Sequence, residues 1–136
     1  MARILVNPVG GEIAKSWPHI RHLVYKGLER GKGEYEERDI LDALLDGSMH
    51  LFIGMAGEQP IAIILATITR FPRLKVLTIR FGAAEEGYRD AYLPWIEEVV
   101  AWGEKQGCAF PEFHGRPGWK KLLKGWTQTH IVMRKI

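Results

Sequence analysis

At 136 residues the chain has room for one hydrophobic core and is short for two, so a single domain over 1–136 is expected. An apolar fraction of 46% and a charged fraction of 26% are those of an ordinary globular protein and exclude disordered and collagen-like classes. No apolar run approaches the roughly 20 residues that span a bilayer, and the lone Cys108 excludes an intramolecular disulfide and any multi-cysteine metal site. The net charge of +3 is unevenly spread: no acidic residue follows Glu112, whereas Arg116, Lys120, Lys121, Lys124, Arg134 and Lys135 do. Such a basic C-terminal segment is a candidate surface for phosphates or an acidic partner.

In chain order, RILVN (3–7) reads as a strand stopped by Pro8 and Gly10-Gly11. Ser16 before Trp17-Pro18 predicts a helix start, and Trp17, Ile20, Val24 and Leu28 carry a helix over 17–30. A second helix is expected over 35–46, with Ile40, Leu41, Leu44 and Leu45 on one face and Gly47 as its stop. Its carboxylates Glu36, Glu37, Asp39 and Asp42 read as a solvated face rather than as acid–base groups. Three β segments follow, 49–55, 60–71 and 74–81, joined by close turns at Gly57 and Pro72 that force antiparallel pairing. The apolar run from Ile61 to Ala66 places the middle segment at the centre of the sheet.

Residues 80–87, RFGAAEEG, read as a tight turn into a third helix capped by Asp90, with Pro94 in its first turn. A strand-to-helix turn of small residues is a candidate anion cradle, because unpaired N–H groups and the helix dipole meet there. Cys108 reads as a buried, inert thiol. A strand over 109–114 is expected at an edge because of Pro111, then a short helix or turn over 116–125 and a last strand over 127–136. The order β-α-α-β-β-β-α-β-α-β implies an α/β (α+β) fold, with a mixed, mostly antiparallel sheet and helices on both faces.

That order, with VVAWGEKQGC (99–108) and RPGWKKLLKGW (116–126), resembles the GNAT superfamily of acetyl-CoA-dependent N-acyltransferases. GRPGW (115–119) also resembles segments of small virion-associated proteins of tailed bacteriophages. The GNAT likeness makes Phe81, Gly82, Ala83, Ala84 and Gly87 the candidate acetyl-CoA contacts. Glu85 and Glu86, however, follow where a pyrophosphate would approach. Family members often carry a base on the fourth strand and a tyrosine on the penultimate helix. Here the fourth strand offers Lys75, Thr78 and Arg80, and no tyrosine follows Tyr92.

Glu112 and His114, alternating on the fifth strand, share one face and are the substitute candidates for proton transfer. Arg116, Trp119, Lys120 and Lys121 are candidate partner contacts, an aromatic ring beside cations being suited to anchor a protein or stack on a base. No set of histidines has metal-ligand spacing. The leading expectation is a GNAT-like protein, phage-derived and catalytically silent, acting through protein contacts as a virion component or host-directed factor, with virion proteins or self-association as partners and no cofactor. The alternatives are a divergent acetyl-CoA-dependent N-acetyltransferase and nucleic-acid binding through the basic segment. A location in the host cytoplasm, or incorporation in a virion, accompanies the first.

Overall fold

The computed structural model describes residues 3–31, 33–89, 92–115 and 117–135. Strands β1 (Arg3–Val6), β2 (His50–Ala56), β3 (Gln59–Arg70), β4 (Lys75–Ala84) and β5 (Phe110–Phe113) form one sheet in that spatial order. All neighbours are antiparallel except β4 and β5, which are parallel. The parallel pair is connected through helix α3 (Tyr92–Lys105), because a parallel neighbour needs a crossover. Helices α1 (Gly11–Leu28) and α2 (Glu37–Asp46) lie between β1 and β2 in sequence.

β3 is central, as the unbroken apolar run implies. Its Ala62, Ile64 and Ala66 pack with Trp95, Ile96 and Val99 of α3, while Ile63 and Leu65 pack with Trp17, Ile20 and Val24 of α1 and with Ile40 and Leu44 of α2. The period-2 alternation of the strand thus builds two cores, one on each face of the sheet. Each buried Ile or Leu contributes about 1.5–3 kcal/mol relative to exposure. Cys108 is buried on the α3 side, in keeping with the inert-thiol expectation.

Three local expectations are corrected. α1 begins at Gly11 rather than 17, because Ile13 extends the apolar stripe by a turn. Pro18 therefore lies inside the helix, where both it and Ala14 are exposed. The carbonyl of Ala14 that loses its N–H partner can face water there. α2 starts at Glu37 with Glu36 and Asp39 forming a reciprocal capping box, and its stop at Gly47 holds.

The second correction concerns 80–87. Gly82, Ala83 and Ala84 do not form a tight turn but continue β4, paired with Ile64, Ile63 and Ala62. The turn comes later, at Glu85 to Tyr88, whose backbone closes with Tyr88 N–H on the Glu85 carbonyl at 3.1 Å. The expected cap Asp90 lies outside the described residues, and Pro94 is in the first turn of α3 as anticipated.

The short helix or turn expected over 116–125 is a 3-10 helix over Pro117–Lys121, after which Leu123 is buried against the α3 core. Last, 127–135 makes no strand. β5 is only four residues long, and Pro111 removes one of its N–H donors. The tail instead leaves the sheet and pairs Arg134 with Glu34, 3.2 Å apart.

Candidate functional site

The register of β3 against β4 slips once: Leu65 faces Phe81 and Ala66 faces Ile79, so Arg80 is an extra residue. A bulge of this kind flips the phase of the strand that follows. Ile79 packs on the α3 side, but Phe81 and Ala83 pack on the α1–α2 side. β5 pairs only with Val76 to Ile79, and its ladder closes with His114 N–H on the Ile79 carbonyl at 3.0 Å. From Arg80 to Ala84, β4 has no β5 partner among the described residues. The two strands part at the bulge.

Glu85 N–H donates to the Ile61 carbonyl of β3 at 2.7 Å. Backbone groups alternate along a strand, so Gly82 and Ala84 direct theirs to the opposite, open edge. Lys26 of α1 caps this edge, its Nζ donating to the Ala84 carbonyl at 2.7 Å. His22, one helical turn earlier, holds Glu85 with Nε2 2.5 Å from Oε1. One of the two carboxylates that would oppose an anion is therefore already engaged by α1. Gly87 in the turn has φ +88, a conformation costly for any residue with a Cβ.

On the α1–α2 face of the sheet, beyond the cover of those helices, a polar patch gathers from three strands. Arg80 Nε donates to Thr67 Oγ1 at 3.1 Å, and Thr69 and Thr78 pair through their hydroxyls at 3.3 Å. Glu112 lies opposite Thr78 in the ladder. Its Oε1 is 3.9 Å from His114 Nε2, so the two fifth-strand candidates do share a face and meet. Arg80 reaches this pair through Nη1, 3.3 Å from His114 Nδ1. Phe81 and Tyr35, edge to face with centroids 5.5 Å apart, border the patch toward the α1–α2 loop.

The His114 pKa is pushed below its ordinary 6.5, chiefly by burial and then by the Arg80 charge, with Glu112 opposing. A neutral ring is therefore favoured near pH 7. Arginine only donates, so Nδ1 must accept from it and the ring proton resides on Nε2, facing Glu112. The lone pair that could take a proton from an amine is thus occupied by Arg80, and Glu112 retains the free basic oxygen.

The other candidates fall elsewhere. Trp119 is half-buried against Phe113, ring centroids 4.8 Å apart, and packs on the α3 core. Lys120 and Lys121 are exposed on the 3-10 helix, and Arg116 lies outside the described residues. Among the described residues no group of three His, Cys, Asp or Glu could hold a metal ion, and no helix is long and apolar enough to cross a membrane. A groove of about 730 Å³ runs between α1 and α2, lined by Trp17, Tyr25, Tyr35 and the Arg21–Glu37 ion pair. Reasoning from sequence missed Thr67 of β3, Tyr35 of the α1–α2 loop, and His22 and Lys26 of α1, which are far from 80–87 and 112–114 in sequence and carry no motif.

No family model matches the chain, and neither does any curated protein. Solved structures do. An aminoglycoside acetyltransferase, meta-AAC0020, from an uncultured soil metagenomic sample matches with TM-score 0.74 at 8% identity, over 98% of this chain and 95% of that one. Aminoglycoside N-acetyltransferase AAC(6')-Iy, solved in complex with CoA, matches with TM-score 0.74 at 17% identity, over 99% and 94%. Glucosamine-6-phosphate N-acetyltransferase from Arabidopsis thaliana matches with TM-score 0.73 at 14% identity, over 100% and 99%. At these identities the likeness establishes the fold, which is the GNAT fold. The likeness to phage virion proteins finds no support in these matches.

Proposed function

We propose that the chain is an acetyl-CoA-dependent N-acyltransferase whose acceptor amine sits over the Arg80–Glu112–His114 patch. The observation that carries this reading is the parting of β4 from β5 at the Arg80 bulge. It leaves an open strand edge at Gly82 and Ala84 directly beside a polar patch that contains a carboxylate. That edge fits an extended amide-bearing arm, since it offers backbone donors and acceptors without side-chain bulk, and Lys26 adds positive charge at its far end. Gly87 and the turn before α3 suit close approach of a phosphate. His22 answers the main objection by engaging Glu85.

Bound acetyl-CoA supplies an activated acyl thioester. Glu112 accepts the proton of the amine, His114 Nε2–H orients that carboxylate, and Arg80 fixes the tautomer that lets His114 do so. No tyrosine follows Tyr92 to serve a departing thiol. With a pKa of about 8.5 a thiol needs little such help near neutrality.

The test is calorimetric titration with acetyl-CoA, followed by incubation with labelled acetyl-CoA and a panel of amines. A micromolar dissociation constant with transfer of label is expected. Absence of both returns the chain to a role in protein contacts.

A further inference from the structure

We propose that the acceptor is an amine carried on an aromatic or alkyl body, and that this body lies on an apolar shelf of Phe71, Leu74, Val76 and Phe110 beside Glu112. The register places the shelf. Phe110 pairs with Val76 and Glu112 with Thr78. Val76 in turn pairs with Thr69, and the β3–β4 hairpin closes with Phe71 N–H on the Leu74 carbonyl at 2.8 Å. The contact between the Thr69 and Thr78 hydroxyls fixes the face of the sheet that these residues share. By strand alternation Phe71, Leu74 and Phe110 stand on that same face. None of the four shelf residues belongs to either core. Phe71 is 54%, Leu74 36% and Phe110 46% exposed, and only Val76 is buried. The cations of the same strand ends turn away: Arg70 and Lys75 pair on the α3 face, where Lys75 Nζ donates to the Gln106 carbonyl at 2.5 Å.

Along β5 the order on the shelf face is Phe110, Glu112, His114, with about 6.6 Å between successive residues. The parting of β4 from β5, where the acyl donor enters, lies at the His114 end. The donor thus takes one side of Glu112 and leaves the side toward Phe110 for the body of the acceptor. An exposed apolar surface with a carboxylate at its rim suits an amine joined by a short carbon spacer to a ring or alkyl chain. A polyhydroxylated amine finds little to bond there, because the Thr69 and Thr78 hydroxyls already engage each other. The substrate class rests on the proposed acyl transfer, but the shelf does not.

Two readouts keep them apart. In transfer of label from acetyl-CoA, phenethylamine should exceed ethanolamine in kcat/KM by about ten-fold or more, a discrimination within reach of a small apolar contact. In Phe110→Ser and Leu74→Ser, folded by circular dichroism, that ratio should fall toward one. Without turnover, phenethylamine added to isotope-labelled protein should shift the amide NMR signals of Val76, Thr78, Phe110 and Glu112, ethanolamine should not, and Phe110→Ser should lose the shifts. Equal transfer to the two amines, no shift with phenethylamine, or shifts undiminished in Phe110→Ser overturns the shelf and leaves acyl transfer standing. Shifts that Phe110→Ser abolishes, in a protein that transfers label to no amine, would overturn the acyl-transfer reading and keep the shelf as an amine-binding surface alone.

Discussion

Arg80 Nη1 faces His114 Nδ1 at 3.3 Å across the point where β4 and β5 part. Because a guanidinium cannot accept, this contact decides which ring nitrogen is protonated, and so which group is left to act as a base. Glu112→Gln should lower kcat by about 100-fold or more, the usual contribution of a general base. The dissociation constant for acetyl-CoA should stay unchanged. His114→Gln, which keeps a donor for Glu112, should lose far less. A larger loss for His114→Gln than for Glu112→Gln, measured by label transfer, would reverse the two roles.

Two histidines tie stability to pH in a direction that the burial decides. His50, against Trp102 with ring centroids 4.8 Å apart, has its pKa lowered by burial, and His114 has its own lowered by burial and then Arg80. Both bind protons less readily in the native than in the unfolded state, so the unfolded state takes up more protons as pH falls below the ordinary 6.5. Stability is therefore full above pH 6.5 and declines as pH falls toward the lowered native values. Urea midpoints measured between pH 8 and pH 5.5 should fall on the acid side, and His50→Gln should flatten part of that slope. A midpoint that rises on acidification would contradict the assignment.

How much of this was legible beforehand depends on whether the determining contacts were local. The two-sided burial of β3 is written in consecutive residues, Ile61 to Ala66, and the stop of α2 in Gly47, so both could be read directly. The pairing of Glu112 with His114 on one face followed from the period of a strand. The bulge at Arg80 could not be read, because it exists only in the register of β4 against β3, which no local pattern in 74–84 records. For the same reason Gly82 to Ala84 looked like a turn. Their small side chains suit a turn, but pairing with Ala62 to Ile64 overrides that preference. The alternating residues of 127–135 have strand character without a usable strand beside them, and an ion pair spanning a hundred positions is invisible to any window.

The carboxylates of the turn before α3 offer a test of the cofactor edge that is independent of proton transfer. Glu85 is held by His22 of α1, and Lys26 caps the neighbouring Ala84 carbonyl. A carboxylate several ångström from a phosphate costs on the order of a kcal/mol in partly screened surroundings. Glu85→Gln should therefore tighten acetyl-CoA binding by about three- to five-fold at low salt. His22→Ala should weaken binding by freeing the charge, and Lys26→Ala by removing a cation. All three differences should shrink at 0.5 M salt. Calorimetry showing no change in any of them would move the cofactor away from this edge.

The packing of α3 on the sheet hinges on one absent methyl group. Gly54 of β2 sits at the slip in register between β2 and β3, and the indole of Trp95 lies directly over it. A Cβ built there would stand 2.3 Å from Trp95 Cζ3 and 2.5 Å from Cη2. A rigid ring that is itself 4% exposed has nowhere to move without dragging the helix. Gly54→Ala should consequently cost about 1–3 kcal/mol, as overpacking of a filled core does. Gly11→Ala is the control: it lies at the first turn of α1 with no atom within 4 Å of the added carbon. There the substitution should be neutral or stabilise by about 0.4–1 kcal/mol through the unfolded state. Urea denaturation of both variants compares the two sites, and a Gly54→Ala midpoint equal to that of the wild type would mean that Trp95 can yield after all.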